Sequence, residues 1–163
     1  MLRSFTFRKN PLFWQVAIAG LVVDQASKIW VAQTFATVGT SWAIWPSVFH
    51  LTYVLNTGAA FSVFRGGVGW LKWLSLGVSL GLIVFAGRTP LRPLEQLGYG
   101  CILAGAFGNG IDRFLMGYVV DFLDFRLINF PVFNLADVMI NLGIGCLLVA
   151  SFRPLPPSHP KDG

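Results

Sequence analysis

Four long apolar segments, separated by more polar stretches, account for most of the chain. They cover about residues 12–35, 68–87, 94–111 and 133–152. Each is close in length to the roughly 20 residues that a helix needs to cross the hydrocarbon core of a bilayer. The pattern therefore predicts a membrane all-α fold with four transmembrane helices.

The first apolar segment follows a basic tail, as the core of a signal peptide does. Residues 17–19, Ala-Ile-Ala, even have the small residues of a cleavage site, but only five residues separate them from Pro11. A signal peptide needs about 7 to 15 apolar residues before that site. We therefore expect an uncleaved first span within a single domain at residues 1–153, followed by a disordered cytoplasmic tail at residues 154–163.

Two stretches between the apolar segments have a different pattern. Residues 48–54 and 118–122 are rich in β-branched and aromatic residues, which is typical of short strands. We predict that they form a small β-element on the outer membrane face. Trp42 and Trp45 would then lie at the membrane–water interface, where tryptophan is enriched.

Small residues at a four-residue spacing occur in two of the predicted spans. They are Gly77 with Gly81, and Ala104 with Gly108. This spacing lets helix backbones approach closely in lipid, so we predict helix–helix contacts at both pairs.

Composition agrees with a membrane protein. Apolar residues make up 55% of the chain and charged residues 12%, against about 25% charged in soluble domains. The net charge is +5, but the basic residues are spread between apolar segments, which argues against nucleic acid as a partner. Cys101 and Cys146 lie within apolar runs, so we interpret them as packing residues. The chain has only two histidines, and we therefore expect no metal and no cofactor.

The distribution of lysine and arginine predicts the orientation. The two tails and the connection at residues 88–95 hold seven basic and two acidic residues, whereas the opposite side holds five of each. Basic residues favour the cytoplasmic side of a membrane. We therefore expect both termini in the cytoplasm and the connections at residues 36–67 and 114–132 outside.

Polar residues form stripes on three predicted spans, each near the outer end. The stripes join residues at helical spacing: Asp24 with Lys28, Asn109 with Arg113, and Asn134 with Asp137 and Asn141. At about 1.5 Å per residue, even Asn141 lies only about 12 Å inside its helix. A polar site at one interface suits a hydrolase, which needs water, better than a transporter, which needs polar groups through the midplane.

A pair of carboxylates is the candidate for the catalytic groups. Two close aspartates share one proton, so the ionised one can take a proton from water while the protonated one polarises a carbonyl. Asp121, at the end of a predicted strand, and Asp137, in the first turn of a predicted helix, are the favoured pair, called the dyad below. Asp124 competes with Asp121, and because strand residues alternate between faces, at most one of them can join Asp137.

Five motifs in this chain resemble those of the lipoprotein signal peptidases, or signal peptidase II, the bacterial aspartyl proteases of the inner membrane. In chain order they are DQASK at 24–28, NTGAAFS at 56–62, GAFGNGIDR at 105–113, VVDF at 119–122 and FNLAD at 133–137. The resemblance covers most of the chain, with a somewhat short connection between the two aspartates. It implies a multi-pass enzyme that removes the signal peptide just before the diacylglyceryl-modified cysteine of a prolipoprotein, near the periplasmic face.

The resemblance also implies roles for individual residues. It makes Asp121 and Asp137 catalytic, while seven others shape the site or contact the substrate: Asp24, Lys28, Asn56, Asn109, Arg113, Asn134 and Asn141. It further implies inhibition by globomycin-type peptides. We expect a monomer surrounded by membrane lipid.

Structural interpretations stand beside these roles. Asp24 and Lys28 can form an ion pair that neutralises both charges within the span. Asp112 lies off the Asn109 stripe, which favours a structural role, and Asn56 in Asn-Thr-Gly suits a turn.

Two other functions are alternatives for the whole chain. A small proton- or solute-conducting protein requires ionisable residues in the inner halves of the spans, and residues 80–85 and 147–150 contain none. A non-catalytic lipid-binding or assembly subunit would tolerate the loss of either aspartate of the dyad.

Overall fold

The computed structural model describes residues 10–58 and 68–152. Its elements, in chain order, are α1 Pro11–Thr34, β1 Ser41–Trp45, β2 Phe49–Asn56, α2 Val68–Arg88, α3 Pro93–Leu115, β3 Val119–Phe125, a 3₁₀ helix Arg126–Ile128, and α4 Leu135–Ser151. The four predicted helices are thus confirmed, and the largest difference is at the end of α3, which extends four residues beyond the predicted end.

Some predictions concern residues outside the described part of the chain. These are the basic residues Arg3, Arg8 and Lys9 of the first tail, Arg65, residues 59–62 of the NTGAAFS motif, and the tail from residue 153 onward. The orientation predicted from the charge asymmetry therefore stays a prediction.

The central helix of the fold is α3, which packs against α1, α2 and α4. Its contact with α4 depends on glycine. Gly105 of α3 lies against the backbone carbonyl of Ala136, and Gly143 of α4 lies against the backbone carbonyl of Gly98, so a side chain at Gly105 or Gly143 would collide with the backbone of the facing helix. Such close backbone contact is what holds helices together where lipid supplies no hydrophobic driving force.

The predicted role of Gly77 and Gly81 in helix packing is wrong. No described atom lies within 4 Å of the position that a Cβ would occupy at either residue. The two glycines do share one face of α2, but α2 meets α3 through another face, where Ser75 lies against Gly110. The Ala104–Gly108 prediction is confirmed: both residues lie against α1, Ala104 beside Gly20 and Gly108 beside the Asp24 carboxylate.

Among the described helices, one is long and apolar enough to cross a membrane by length and hydropathy, at Gly69–Arg88 in α2. Helix α4 is apolar but has 17 residues. Helices α1 and α3 are 24 and 23 residues long and include the charged residues of the polar stripes. The four transmembrane spans and the position of the termini therefore remain predictions.

The predicted strands are confirmed as β2 and β3, and a third strand, β1, completes an antiparallel sheet in the order β1-β2-β3. The sequence pattern missed β1 because all five of its residues are exposed, so it has no alternation of buried and exposed positions. Strand β3 packs on the C-terminal end of α1. Val120 and Phe122 form a buried cluster there with Val31 and Phe35.

The segment that precedes α4 returns to β3. Phe133 and Leu123 exchange two backbone hydrogen bonds, of 2.8 and 3.1 Å, and the Phe133 carbonyl also accepts the Phe122 N–H at 2.9 Å. Asn129, with φ of 49°, takes the left-handed conformation in the loop between them. The first turn of α4 consequently lies beside β3, although nine residues separate Leu123 from Phe133.

Candidate active site

Strand β3 presents two aspartates to different surroundings. Asp121 faces the helices and is 2% exposed. Asp124 accepts a hydrogen bond from Thr52 Oγ1 at 2.6 Å and forms an ion pair with Arg126 at 2.9 Å, on the sheet side. The predicted separation of residues 121 and 124 is confirmed.

Uncharged amides hold the Asp121 carboxyl group. Asn134 Nδ2 donates to Oδ1 at 2.6 Å, and Asn56 Nδ2 donates to Oδ2 at 2.8 Å. Burial raises the pKa of Asp121 to about 6; the Asn56 hydrogen bond opposes this rise, and the neighbouring Asp137 carboxylate adds to it. Asp121 therefore keeps a proton at a higher pH than an ordinary aspartate does.

Asp137 lies in the first turn of α4, where its conformation is set by a reciprocal cap. The Asn134 backbone N–H donates to Asp137 Oδ2 at 3.2 Å, and the Asp137 backbone N–H donates to Asn134 Oδ1 at 3.1 Å. The other carboxylate oxygen of Asp137 accepts Asn109 Nδ2 at 2.9 Å. A helix N-terminus also favours a negative charge at this position.

The two carboxyl groups are therefore joined through Asn134, which bonds Asp121 with its side chain and Asp137 with its backbone. Each of the four carboxyl oxygens accepts one N–H donor. The donors fix the orientation of both groups and supply no full positive charge. Such an arrangement can hold a shared proton and orient water.

Behind Asn109 lies a buried ion cluster formed by Asp24, Gln25, Lys28 and Asp112, called the Lys28 cluster below. The Lys28 ammonium is 2.9 Å from Asp24 Oδ2, 2.7 Å from Asp112 Oδ2 and 2.9 Å from Asn109 Oδ1. Gln25 Nε2 donates to both carboxylates, at 3.1 and 3.0 Å. The predicted Asp24–Lys28 ion pair is confirmed, and Lys28 also pairs with a second carboxylate, that of Asp112.

The Lys28 cluster also contacts α4 directly. Asp24 Oδ1 accepts the backbone N–H of Ala136 at 3.0 Å, a group that the first turn of a helix leaves without an intrahelical partner. Asp24 of α1 thus holds the N-terminal end of α4, which carries Asp137. A backbone contact of this kind gives no signal in the sequence.

A cavity of about 1090 Å³ opens beside the dyad. One end is lined by Asp121, Asp137 and Arg113, whose Nη1 donates to the Asn109 carbonyl at 3.3 Å. From there it follows α4 past Asn141 to Val149 over largely apolar side chains. The shape suits a ligand with one polar end and a long apolar portion.

All nine predicted site residues lie in one region. Seven of them line the cavity: Asn56, Asn109, Arg113, Asp121, Asn134, Asp137 and Asn141. Asp24 and Lys28 lie behind them, at 0% and 3% exposure. Helical phase placed Asp112 off the Asn109 stripe, and the structure places it against Lys28, on the side of α3 that faces α1.

The comparisons with known proteins agree with one another. The model of a family described as signal peptidase (SPase) II matches residues 16–153. A lipoprotein signal peptidase of Synechocystis sp. is 74% identical over 155 residues, which cover 95% of this chain and 96% of that protein. One of Microcystis aeruginosa is 69% identical and covers 90% of this chain and 95% of its own length.

Solved structures give the same picture of the fold. A bacterial membrane enzyme determined by the in meso method at 2.3 Å resolution superposes with a TM-score of 0.78, at 26% identity, over 97% of this chain and 99% of that one. A second such structure, at 1.9 Å resolution, gives 0.77 at 27% identity, over 95% and 99%. These similarities indicate an enzyme embedded in a membrane.

Proposed function

The chain belongs to the signal peptidase II family, and on that premise we propose that it cleaves diacylglyceryl-modified prolipoproteins just before the lipidated cysteine, with Asp121 and Asp137 as catalytic residues. Family membership makes it an aspartic-type peptidase that removes lipoprotein signal peptides. The observation that carries the finer proposal is the pair of carboxyl groups, joined through Asn134, at the polar end of an apolar cavity.

The two aspartates have different roles in this mechanism. We assign the shared proton to Asp121, whose pKa burial raises to about 6, and this proton forms a hydrogen bond to the scissile carbonyl oxygen. Asp137, at the N-terminus of α4, is ionised and takes a proton from the attacking water. The water oxygen bonds to the carbonyl carbon. As the tetrahedral intermediate collapses, the C–N bond breaks and the proton held by Asp137 passes to the leaving amine.

The cavity supports a lipidated substrate. Its apolar length along α4 would take acyl chains or the apolar part of the signal peptide, and its polar end would hold the peptide bond beside the dyad. Arg113 and Asn141 line the polar portion and would contact the peptide backbone. A globomycin-type peptide would compete for the same space.

The proposed setting is the bacterial inner membrane, with four spans, the dyad near the periplasmic face and both termini in the cytoplasm. Trp42 and Trp45 support this placement, since they are 42% and 66% exposed on β1, as interfacial tryptophans are. Reporter fusions at each terminus test the orientation. Periplasmic activity of a phosphatase fused to either end would contradict it.

The substrate test uses the purified full chain and a synthetic prolipoprotein peptide that carries a diacylglyceryl-cysteine. We expect one cut immediately before that cysteine, identified by product mass, with no cut in the matched peptide that lacks the lipid. The reaction should persist in a chelator and stop with globomycin. Loss of activity in the chelator that an added metal restores would contradict the dyad mechanism.

A further inference from the structure

The buried Lys28 ammonium does not itself touch the dyad. It lies next to Asn109, which donates a hydrogen bond to Asp137 of the dyad. We propose that Lys28 is a positioning residue that fixes the side-chain amide of Asn109, so that its NH₂ group faces Asp137. The inference rests on the proposed function, because it assigns a role in orienting that dyad.

The oxygen end of the Asn109 side-chain amide faces Lys28. An ammonium group has three donors and no acceptor, so the atom 2.9 Å from Lys28 Nζ has to be the amide oxygen. Asn134 Nδ2 donates to the same oxygen at 3.1 Å. Two donors therefore hold the oxygen on the side away from Asp137.

The nitrogen end of that amide faces Asp137. With Oδ1 fixed, Asn109 Nδ2 has to face the opposite side, where Asp137 Oδ1 accepts it at 2.9 Å. A 180° flip would place the amide oxygen against a carboxylate oxygen and the NH₂ group against the ammonium. Both contacts would be repulsive, so Lys28 prevents the flip.

A lysine at this depth is tolerated because carboxylates surround it. A buried ammonium is destabilising unless it is paired, and the carboxylates of Asp24 and Asp112 pair it at 2.9 and 2.7 Å. A pair alone would satisfy the charge balance. The third oxygen at hydrogen-bond distance is the one on Asn109, and that contact is what connects the Lys28 cluster to catalysis.

The experiment is a double-mutant cycle with Lys28→Met and Asn109→Ala, measured by cleavage of the lipidated peptide. A hydrogen bond to a charged group is worth about 1.5–3 kcal/mol, so Lys28→Met should lower kcat about 10- to 100-fold with little change in KM. In the Asn109→Ala background the same change should cost about threefold or less, because the amide it orients is gone.

The pH profile supplies a readout that a merely structural role would not move. Loss of the oriented donor, and of a nearby cation, disfavours the ionised form of the dyad, so the acidic limb of kcat/KM should move to higher pH in Lys28→Met. The charged groups that face this region are Asp24, Lys28, Asp112, Arg113, Asp121 and Asp137. Lys72→Met is the matched control, since Lys72 lies over the rings of Trp73 and Phe114, and its profile should be unchanged.

Lys28→Met leaves two carboxylates without their cation and can prevent folding. The variant Lys28→Met/Asp112→Asn keeps the net charge of the Lys28 cluster and is tested in parallel. If either folded variant retains full kcat, or if the effects of Lys28→Met and Asn109→Ala are additive, the positioning role is wrong. That outcome differs from failure of the proposed function, in which the Asp121→Asn and Asp137→Asn variants themselves still cleave.

Discussion

Asp121 and Asp124 lie three residues apart on one strand, yet their surroundings differ in kind. Asp121 is bonded by the amides of Asn56 and Asn134, and burial raises its pKa to about 6. Asp124 is more exposed, at 8% against 2%. Burial alone would raise the pKa of Asp124, but hydrogen bonds from Thr52 and Arg126 lower it below the usual value.

The comparison shows that the pKa of an aspartate follows the balance between its burial and its hydrogen bonds. The Asp124 side chain is 11% exposed beside an Arg126 that is 43% exposed, whereas Asp121 lies deeper among uncharged amides. At Asp121 the amide hydrogen bonds lower the pKa less than burial raises it, whereas at Asp124 the Thr52 and Arg126 hydrogen bonds outweigh burial. The strand supplies the separation, because alternate faces meet different neighbours.

The strongest test of this difference replaces the aspartates by asparagine one at a time. Asp121→Asn and Asp137→Asn should each lower kcat by about 10⁴-fold or more, as loss of a catalytic group does in other proteases. Asp124→Asn should keep most of the activity, because Asp124 contacts neither the dyad nor the cavity. Cleavage of the lipidated peptide measures all three, with insertion into membranes as the control for folding. An inactive Asp124→Asn beside an active Asp121→Asn would reverse the assignment.

A smaller effect is expected when the residue that joins the dyad is shortened. Asn134→Ala removes the side-chain donor to Asp121 and the cap of Asp137. We expect kcat to fall about 10²-fold and the free energy of unfolding to fall by about 1 kcal/mol.

Asn141→Ala is the matched control for that variant. Its side chain donates to the Asp137 backbone carbonyl within α4 and lines the cavity, so KM should change more than kcat. Steady-state kinetics and thermal unfolding distinguish the two variants. Equal losses of kcat would mean that Asn134 does not join the carboxyl groups in the working enzyme.

The donors can also be compared directly through the pH dependence. The Asn56 hydrogen bond lowers the pKa of Asp121 against the effect of burial, so Asn56→Ala should raise that pKa above about 6. Because Asp121 acts as the acid, the alkaline limb of kcat/KM should move to higher pH. Thr52→Val, which removes the corresponding donor to Asp124, should leave the limb in place. A limb that moves to lower pH in Asn56→Ala would exclude Asp121 as the group observed.

The smallest effect belongs to the ion pair of Asp124. Its partner Arg126 is 43% exposed, and such pairs contribute about 0–1 kcal/mol. Arg126→Gln should lower the unfolding free energy by about that amount at neutral pH.

The sign of the pH dependence follows from the lowered pKa of Asp124. The stabilisation is present above the unfolded-state value of about 3.9 and is lost as the pH falls through the folded-state value. Denaturant unfolding of both proteins at several pH values measures the difference. A deficit in Arg126→Gln that grows as the pH falls would contradict the assignment.

Much of this molecule could be predicted from residue patterns. Apolar length gave the four helices, and helical spacing placed Asn109, Asn134 and Asp137 on stripes that do meet. Strand alternation separated Asp121 from Asp124. These features depend on local periodicity, which can be read from the sequence alone.

Other features depend on backbone positions that no pattern records. The contact of Asp24 with the Ala136 N–H and the return of Phe133 to Leu123 require the tertiary fold. Strand β1 has no buried face to produce alternation. Gly77 and Gly81 have the spacing of a packing motif but meet no described atom, because spacing does not say which face of α2 a neighbour occupies.

The exchange of hydrogen bonds between Leu123 and Phe133 ties the segment before α4 to β3, so that residues 126–132, beyond the end of the strand, form a closed loop. Insertions or deletions inside that loop would change its length while leaving both of its anchor points, and hence the geometry on either side, where they are. The fold can therefore acquire new loops at the entrance to its cavity without redesigning the chemistry beneath.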